Sequence, residues 1–258
     1  MSRVFIVARH TFREAVRDRV LYNLVFFAFL MIASALIVGQ ISMGIESVVM
    51  ISLGLSAISL IGLLIAIFTG VGLVSKEIDK RTLHAVLAKR LRRWEFLLGK
   101  FAGLVVTLAV NTAAMAAGLF LALWLVKHAM ARGDEVVLVA VYFILLKLML
   151  VVALAMLFSC FTSPLLAILF TGGLYLAGLF VSELRSLQVT NLTAQMQKFF
   201  TVISYLLPNF GNYDVMGAAA HGRGIAGILI LHNTLYTILY CAIVLSAAAV
   251  IFSRKDLK

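Results

Sequence analysis

Six long apolar stretches, separated by clusters of charge, constrain this chain more than any other feature. A bilayer's hydrocarbon core is ~30 Å thick, and a helix needs about 20 apolar residues to cross it. Because lipid offers the backbone no hydrogen-bond partners, such segments must be helical. The sequence therefore predicts an all-α polytopic membrane protein with six transmembrane helices. The six stretches cover residues 21–39, 48–74, 101–126, 136–161, 164–181 and 225–252.

The composition agrees with this class. Hydrophobic residues make up 63% of the chain and charged residues 13%, whereas a soluble domain carries about 25% charged residues. So little polar sequence leaves no room for a soluble catalytic domain. We therefore predict a single membrane domain over residues 1–258.

The charges follow a topological pattern. With a cytoplasmic N-terminus, 16 Lys and Arg residues lie inside, five lie outside, and Lys147 falls within the fourth stretch. This asymmetry is what the positive-inside rule predicts, so both termini are expected in the cytoplasm. The net charge of +11 is thereby explained by topology. Nucleic-acid binding is not expected, because no basic stripe with interleaved aromatic residues occurs.

Residues 1–20 have the pattern of an amphipathic helix. Such a helix lies in the interface plane, with its cations near anionic lipid headgroups. The alternative is a basic tail that only sets topology. The apolar stripe consists of Phe5, Ala8, Phe12, Ala15, Val16 and Val20.

Segment 75–98 is the most structured polar region. No Gly or Pro interrupts it, and Ile78, Leu83, Val86, Leu87 and Leu91 can form an apolar ridge. A helix pressed against another cytoplasmic protein needs such a ridge, whereas a solvated loop does not. The alternative is that its charges only solvate the loop and set topology.

Several motifs resemble those of ABC-2 type permeases, the six-helix membrane subunits of ABC exporters. Residues 70–77 read GVGLVSKE, residues 82–83 read TL, and residues 93–100 read RWEFLLGK. Residues 8–14 (ARHTFRE) and 205–209 (YLLPN) are also similar to these permeases. The chain departs from the family's pattern at Arg81 and Arg90, where Gly and Pro are common. The resemblance covers nearly the whole chain and is closest to the branch serving nitrous oxide reductase maturation.

The resemblance implies a partner assembly in the bacterial cytoplasmic membrane. Two permeases, either two copies or a copy and a paralogue, would bind two soluble ABC ATPases. Segment 75–98 would then be the coupling element that fits a groove of the ATPase. We assign Glu77, Asp79 and Thr82 to that contact, and Arg93 and Glu95 to fixing the returning helix.

The chain itself shows no nucleotide-binding motif. It lacks a Gly-x4-Gly-Lys-Ser/Thr loop, so ATP and Mg are expected on the partner ATPase. Its five His and two Cys residues are scattered without metal-ligand spacing, so no cofactor or metal of its own is predicted.

Residues 182–224 form a longer external loop. Its apolar part, 199–207, is too short to span a membrane, and Pro208 and Gly211 stop a helix there. We predict a re-entrant or interfacial hairpin that forms an external lid, as the family has between spans five and six. The alternative is an outer-leaflet anchor without a gating role. The lid residues are Phe199, Phe200, Tyr205 and Pro208.

Among single residues, Lys147 is the strongest candidate for a functional role within the membrane spans. A charge near the middle of a span costs at least ~2.5 kcal/mol, so intramembrane ionisable residues are candidates for function. Lys147 is predicted to face the dimer interface, a polar cavity, or Glu183 near the end of span five. The alternative is a lysine that snorkels or is buried against carbonyls. Asn111 in span three is a weaker candidate, since Asn often only joins helices.

These features predict the permease subunit of an ATP-driven exporter in contact with membrane lipids. Three other functions stay open: an ATP-independent carrier or channel, an intramembrane enzyme, and a scaffold that transmits ATPase strokes to an extracytoplasmic protein. The carrier would need an inverted repeat, and none is evident. The enzyme would need a catalytic constellation, and none is placed convincingly.

Overall fold

The structure is a computed structural model that describes residues 4–13, 26–27, 46–79, 93–127, 135–181 and 207–254. At residues 46, 73–79, 93, 125–127 and 254 it describes the backbone alone. Across these ranges the regular structure is helical, and no strand occurs among them. Residues 4–13 are helical and are called the N-terminal helical segment. The other elements are α1 (Glu46–Asp79), α2 (Arg93–Lys127), α3 (Glu135–Ser159), α4 (Pro164–Leu179), a short 3₁₀ turn η1 (Gly211–Tyr213), α5 (Met216–Ala220) and α6 (Gly227–Arg254).

Within the described part of the chain, four helices are long and apolar enough to cross a membrane. Their apolar portions are Ser47–Gly72, Trp94–Trp124, Glu135–Ser159 and Gly227–Ser253. They correspond to the second, third, fourth and sixth predicted stretches. The fifth stretch forms α4, a shorter apolar helix of 16 residues. The first stretch, 21–39, lies outside the described residues except for positions 26 and 27.

A short reversal joins α3 to α4. Thr162 closes the end of α3 by donating its hydroxyl to the carbonyl of Phe158 at 2.7 Å. Ser163 is extended, and Pro164 then occupies the first turn of α4. Proline suits that position because its fixed φ matches a helix start and the missing N–H has no helical partner there. The local sequence therefore turns the chain back without a long loop.

Helix α3 lies at the centre of the bundle and packs against α1, α2, α4 and α6. Its apolar portion is 61% buried within the chain, whereas that of α6 is 33% buried. Leucine and isoleucine side chains cover the outward face of α6, where lipid would satisfy them. An apolar helix that is buried all round belongs in the interior of a bundle.

Contacts between α1 and α3 advance together along both helices, so these two helices run parallel. The pairs are Ser59–Lys147, Gly62–Leu148, Gly70–Ala155 and Val71–Ser159. Helix α2 runs the opposite way. Its C-terminal half, at Leu119, lies against Gly54 in the first third of α1. The bundle therefore has the alternating directions that successive membrane crossings require.

Different elements lie at the two ends of the bundle. At one end α1 finishes and α2 begins, and this is called the connector end. There Phe96 of α2 stacks on Phe252 of α6 with ring centroids 6.4 Å apart. The N-terminal helical segment packs on Gly99 and Gly103 of α2. The described residues nearest to both termini thus lie at the connector end, and α3 and α6 begin at the opposite end.

Candidate functional site

A cluster of polar side chains surrounds Lys147 in the middle of the apolar bundle. Lys147 is only 4% exposed. Its Nζ donates to the Ser59 hydroxyl of α1 at 2.7 Å and lies 5.9 Å from the centroid of the Tyr175 ring of α4. Three helices therefore meet around one buried ammonium group.

The cluster contains more hydrogen-bond donors than acceptors. An ammonium has three N–H donors and no acceptor, and one of those of Lys147 goes to Ser59. The Ser59 hydroxyl also interacts with the phenol of Tyr175. Since Ser59 accepts from Lys147, its own proton is available for Tyr175, and the Tyr175 proton is left over. No further hydrogen bond of Lys147 occurs within the described ranges.

Asp214 supplies the negative charge that acts on this cluster. Its carboxylate attracts the Lys147 ammonium and also acts on Tyr175. Its neighbours in sequence fix its place: Tyr213 contacts Phe143, one turn before Lys147, and Met216 Sδ receives a contact from Ser56 Oγ at 3.8 Å, one turn before Ser59. Asp214 is exposed, and it does not form a direct ion pair with Lys147.

Segment 207–220 enters the bundle and packs along α6. The side-chain amide of Asn233 in α6 donates to the backbone carbonyl of Asn212 at 3.2 Å. The Tyr213 hydroxyl is hydrogen-bonded to the Thr237 hydroxyl at 2.7 Å. Thr237 lies ten residues after the start of α6, which corresponds to ~15 Å along a helix axis. Segment 207–220 therefore reaches a considerable depth from the opposite end of the bundle.

The direction of the Tyr213 hydrogen bond follows from the neighbouring bond. Thr237 donates its one proton to the Asn233 carbonyl at 2.7 Å, so Tyr213 must donate to Thr237. Burial raises the pKa of Tyr213 above its ordinary value. The phenol therefore keeps the proton that this bond needs.

Close backbone contact with α4 holds the start of the same segment. The Phe210 amide donates to the Gly178 carbonyl at 3.1 Å, and the Phe210 ring lies 5.1 Å from that of Tyr175. A Cβ at Gly178 would collide with the Pro208 carbonyl and the Phe210 ring. Pro208, a predicted lid residue, is buried in this contact. The other three, Phe199, Phe200 and Tyr205, lie outside the described residues, as does Glu183.

Asn111 lies buried in α2 with 1% of its surface exposed. Neither its amide nitrogen nor its carbonyl oxygen has a hydrogen-bond partner among the described residues. Nearby threonines of α2 bond to their own helix: Thr107 to Gly103 and Thr112 to Leu108. The structure does not bring Asn111 together with Lys147.

The predicted coupling residues lie at the connector end. Glu77 and Asp79 belong to the last turn of α1, because this helix continues to Asp79 without interruption. Arg93 and Glu95 form the first turn of α2, and Thr82 lies outside the described residues. Glu95 is partly buried, whereas the neighbouring Trp94 is exposed. The acidic and basic residues of this prediction therefore stand on two helix ends that share one end of the bundle.

The N-terminal helical segment covers the start of α2. Gly103 allows the N-terminal helical segment to approach closely. A Cβ on residue 103 would lie 2.7 Å from the Ala8 carbonyl oxygen and 2.7 Å from the Thr11 Cβ. Gly99 gives the same access to Val7. Phe5, part of the predicted apolar stripe, points away and is exposed. The contact face is therefore formed by Val7, Ala8 and Thr11, which leaves Phe5 available to lipid.

The arrangement is suited to binding and conformational coupling. Sequence reasoning singled out Lys147 but missed Ser59, Tyr175 and Asp214. A single Ser or Tyr in an apolar helix is common, and Asp214 lies in a loop 67 positions away, so no spacing links them. No group of three His, Cys, Asp or Glu side chains that could hold a metal ion occurs in the part of the chain that the structure describes.

Comparison with known families agrees with the fold and charge pattern. The family model described as ABC-2 family transporter protein matches residues 5–257. None of the curated proteins matches the chain. The family match leaves the more specific branch, that of nitrous oxide reductase maturation, as a prediction.

Proposed function

Because the chain belongs to the ABC-2 family of transporter proteins, we propose that it is the permease subunit of an ATP-driven exporter. The family is a membrane component of ABC transporters, and membership implies an ABC ATPase as partner. The family match over residues 5–257 is the observation that carries the proposal. The arrangement of helix ends at the connector end supports the coupling mechanism proposed below.

The proposed topology has six membrane helices with both termini in the bacterial cytoplasm. The alternating directions of α1 to α4 and the 16-to-5 distribution of Lys and Arg support it. In this orientation the connector end faces the cytoplasm. Segment 207–220 then enters the bundle from the outside and is the described part of the proposed lid.

The proposed coupling element is segment 75–98 at the connector end. ATP binding closes two ATPases, and their movement pushes on the ends of α1 and α2. Helix α1 contacts α3 along its length through Gly62, Gly70 and Val71. Packed helices transmit such a displacement because their interfaces are close-packed rather than fluid. The push therefore reaches Lys147 and Ser59 in the middle of the bundle.

The assembly is proposed to contain two permeases, either two copies or a copy and a paralogue, with two ATPases. Cargo enters from the cytoplasm or the inner leaflet. It leaves when segment 207–220 moves away from α4 and α6. ATP and Mg are bound by the ATPases, and this chain supplies the pathway.

Affinity purification of the tagged chain from native membranes tests this proposal. We expect a soluble ABC ATPase in the eluate at about one copy per permease, with vanadate-sensitive ATP turnover. The double charge reversal of Glu77 and Asp79 to Lys is expected to reduce the co-purified ATPase several-fold. Glu135→Lys is the matched control, because Glu135 is an exposed carboxylate at the opposite end of the bundle.

Each outcome separates the candidate functions. Unchanged ATPase recovery and turnover in the double variant would argue against the coupling assignment. A lone chain without any ATPase would overturn the exporter and favour an ATP-independent carrier. An extracytoplasmic protein that elutes with the ATPase would favour the scaffold function.

A further inference from the structure

The donor-rich cluster around Lys147 has the chemistry of a binding site. Two N–H groups of the Lys147 ammonium and the hydroxyl proton of Tyr175 have no acceptor in the described part of the chain. Leaving donors to a charged group unpaired in a low-dielectric interior is costly. The group that would satisfy all of them is one with several oxygen acceptors and a negative charge.

Among the described residues, Asp214 is the anionic group that acts on Lys147, but it does not accept a hydrogen bond from the Lys147 ammonium. Its Oδ1 accepts from the Met216 amide at 3.3 Å, which fixes the carboxylate in its own loop. It attracts Lys147 without a direct ion pair. The attraction is therefore present, while the hydrogen bonds to Lys147 are left for another acceptor.

We propose that Lys147, Ser59 and Tyr175 form an oxyanion-binding site inside the bundle, and that it takes the carboxylate or phosphate group of an amphiphilic cargo. Asp214 competes with that group by repulsion and by attraction to Lys147. When segment 207–220 withdraws, it carries Asp214 away, and the cargo anion takes its place as the counter-charge of Lys147. As a statement about cargo class, the inference rests on the proposed transport function.

The segment that is proposed to move is held to α6 by a small number of hydrogen bonds. Three hydrogen bonds hold segment 207–220 to α6: Tyr213 to Thr237, the Asn233 side chain to the Asn212 carbonyl, and the Asn209 backbone amide to the Tyr236 hydroxyl. Lys147 and Ser59, by contrast, belong to the long helices α3 and α1, which the coupling movement reaches first. One movement can therefore change both the positions of Lys147 and Ser59 around the anion and the position of Asp214.

Binding to the purified full-length chain in detergent tests the site without the ATPase. The probe is dioctanoylphosphatidic acid, and native mass spectrometry counts the molecules bound. We expect one saturable molecule per chain. Lys147→Gln should weaken binding by about 10-fold or more, since hydrogen bonds to charged groups are the strong ones. Asp214→Asn should strengthen it several-fold, because the competing charge is removed while the Met216 contact can be kept.

Matched variants keep the result interpretable. Arg223→Gln removes an exposed cation of the turn before α6 and should leave binding unchanged. Tyr175→Phe should weaken binding a few-fold and serves in place of Lys147→Gln if that variant does not fold. Dioctanoylglycerol, which has the same tails without the phosphate, should not bind this site.

Competition with inorganic phosphate also distinguishes a free anion from the headgroup of an amphiphile. Inorganic phosphate that displaces the lipid would show that the site recognises the free anion as well, whereas failure to displace it would assign the site to an amphiphile. Equal binding by wild type, Lys147→Gln and Tyr175→Phe, or equal binding of dioctanoylglycerol, would overturn the proposal. Because no ATPase takes part, such a result would not touch the exporter proposal.

Discussion

At the scale of single residues, two glycines near the end of α1 differ sharply in what surrounds them. A Cβ at Gly70 would lie 2.8 Å from the Cβ of Ala155, which cannot rotate away, whereas nothing lies within 4 Å of a Cβ at Gly72. Gly70→Ala must therefore separate α1 from α3. We expect it to lower the free energy of unfolding by about 1–3 kcal/mol, the usual cost of overpacking. Titration of the purified chain from mild detergent into SDS measures this loss.

Gly72→Ala is the matched control for Gly70→Ala. Both variants add one methyl group to the same helix and gain the same helix propensity, up to ~1 kcal/mol. Gly72→Ala should be neutral or slightly stabilising, because its methyl group meets open space. If the two variants unfold alike, α1 and α3 are not in close contact at Gly70.

The charged residue of the site could be found from the sequence, but its partners could not. A lysine within an apolar stretch is costly in a membrane, and this cost alone marked Lys147. The Ser59 partner lies 88 positions earlier, and only the parallel packing of α1 and α3 brings the two together. The sequence left three alternatives for what Lys147 faces: the dimer interface, a polar cavity or Glu183. Asp214 acts on Lys147 because segment 207–220 bends into the bundle, which hydropathy does not encode.

At the scale of elements, the N-terminal helical segment depends on one close approach to α2. A Cβ at Gly103 would stand 2.7 Å from the Ala8 carbonyl and from Thr11 Cβ, and backbone cannot move aside as a side chain can. Gly103→Ala should therefore loosen the segment and expose its chain to protease. We expect trypsin cleavage after the exposed Arg13 to become several-fold faster, as measured by mass spectrometry of the intact chain.

Gly118→Ala controls for an added methyl group in α2. A Cβ at Gly118 has only an ordinary contact, 3.5 Å from the Phe27 ring. Its cleavage rate should match that of the wild type. Equal acceleration in both variants would mean that cleavage reports general loosening of α2 rather than release of the N-terminal helical segment.

Helices with a long apolar run were predictable, and elements without one were not. The predicted stretch 136–161 corresponds to the helix Glu135–Ser159, and the stretch 225–252 corresponds to the helix Gly227–Arg254. Length and apolarity suffice to predict such helices. Gly99 and Gly103 lie four positions apart in α2, a spacing that suits close helix packing but does not identify the partner. A pair of small residues at this spacing indicates that the backbone of another segment packs closely against the helix. Only the folded chain shows that it is the N-terminal helical segment.

At the scale of the whole molecule, the bundle separates its charged and polar features between two ends. The connector end gathers the N-terminal helical segment, the ends of α1 and α6, and the beginning of α2. The opposite end holds the turn at His221 and the entrance of segment 207–220. An exporter needs this separation, because the ATPase and the exit for cargo must lie on different faces of the membrane.

The two ends should therefore react with a membrane-impermeant maleimide from different sides. Arg9→Cys labels the connector end and His221→Cys the opposite end, and both positions are exposed. The two natural cysteines, Cys160 and Cys241, are buried, so the unmodified chain should give a low background. In the topology that we propose from the positive-inside rule, the connector end faces the cytoplasm. We expect Arg9→Cys to react in inside-out vesicles and His221→Cys in right-side-out vesicles. Reaction of both variants from one side would contradict the alternation of α1, α2, α3, α4 and α6 across the membrane. Reaction of each variant from the reverse side would keep the fold but invert the proposed direction of transport.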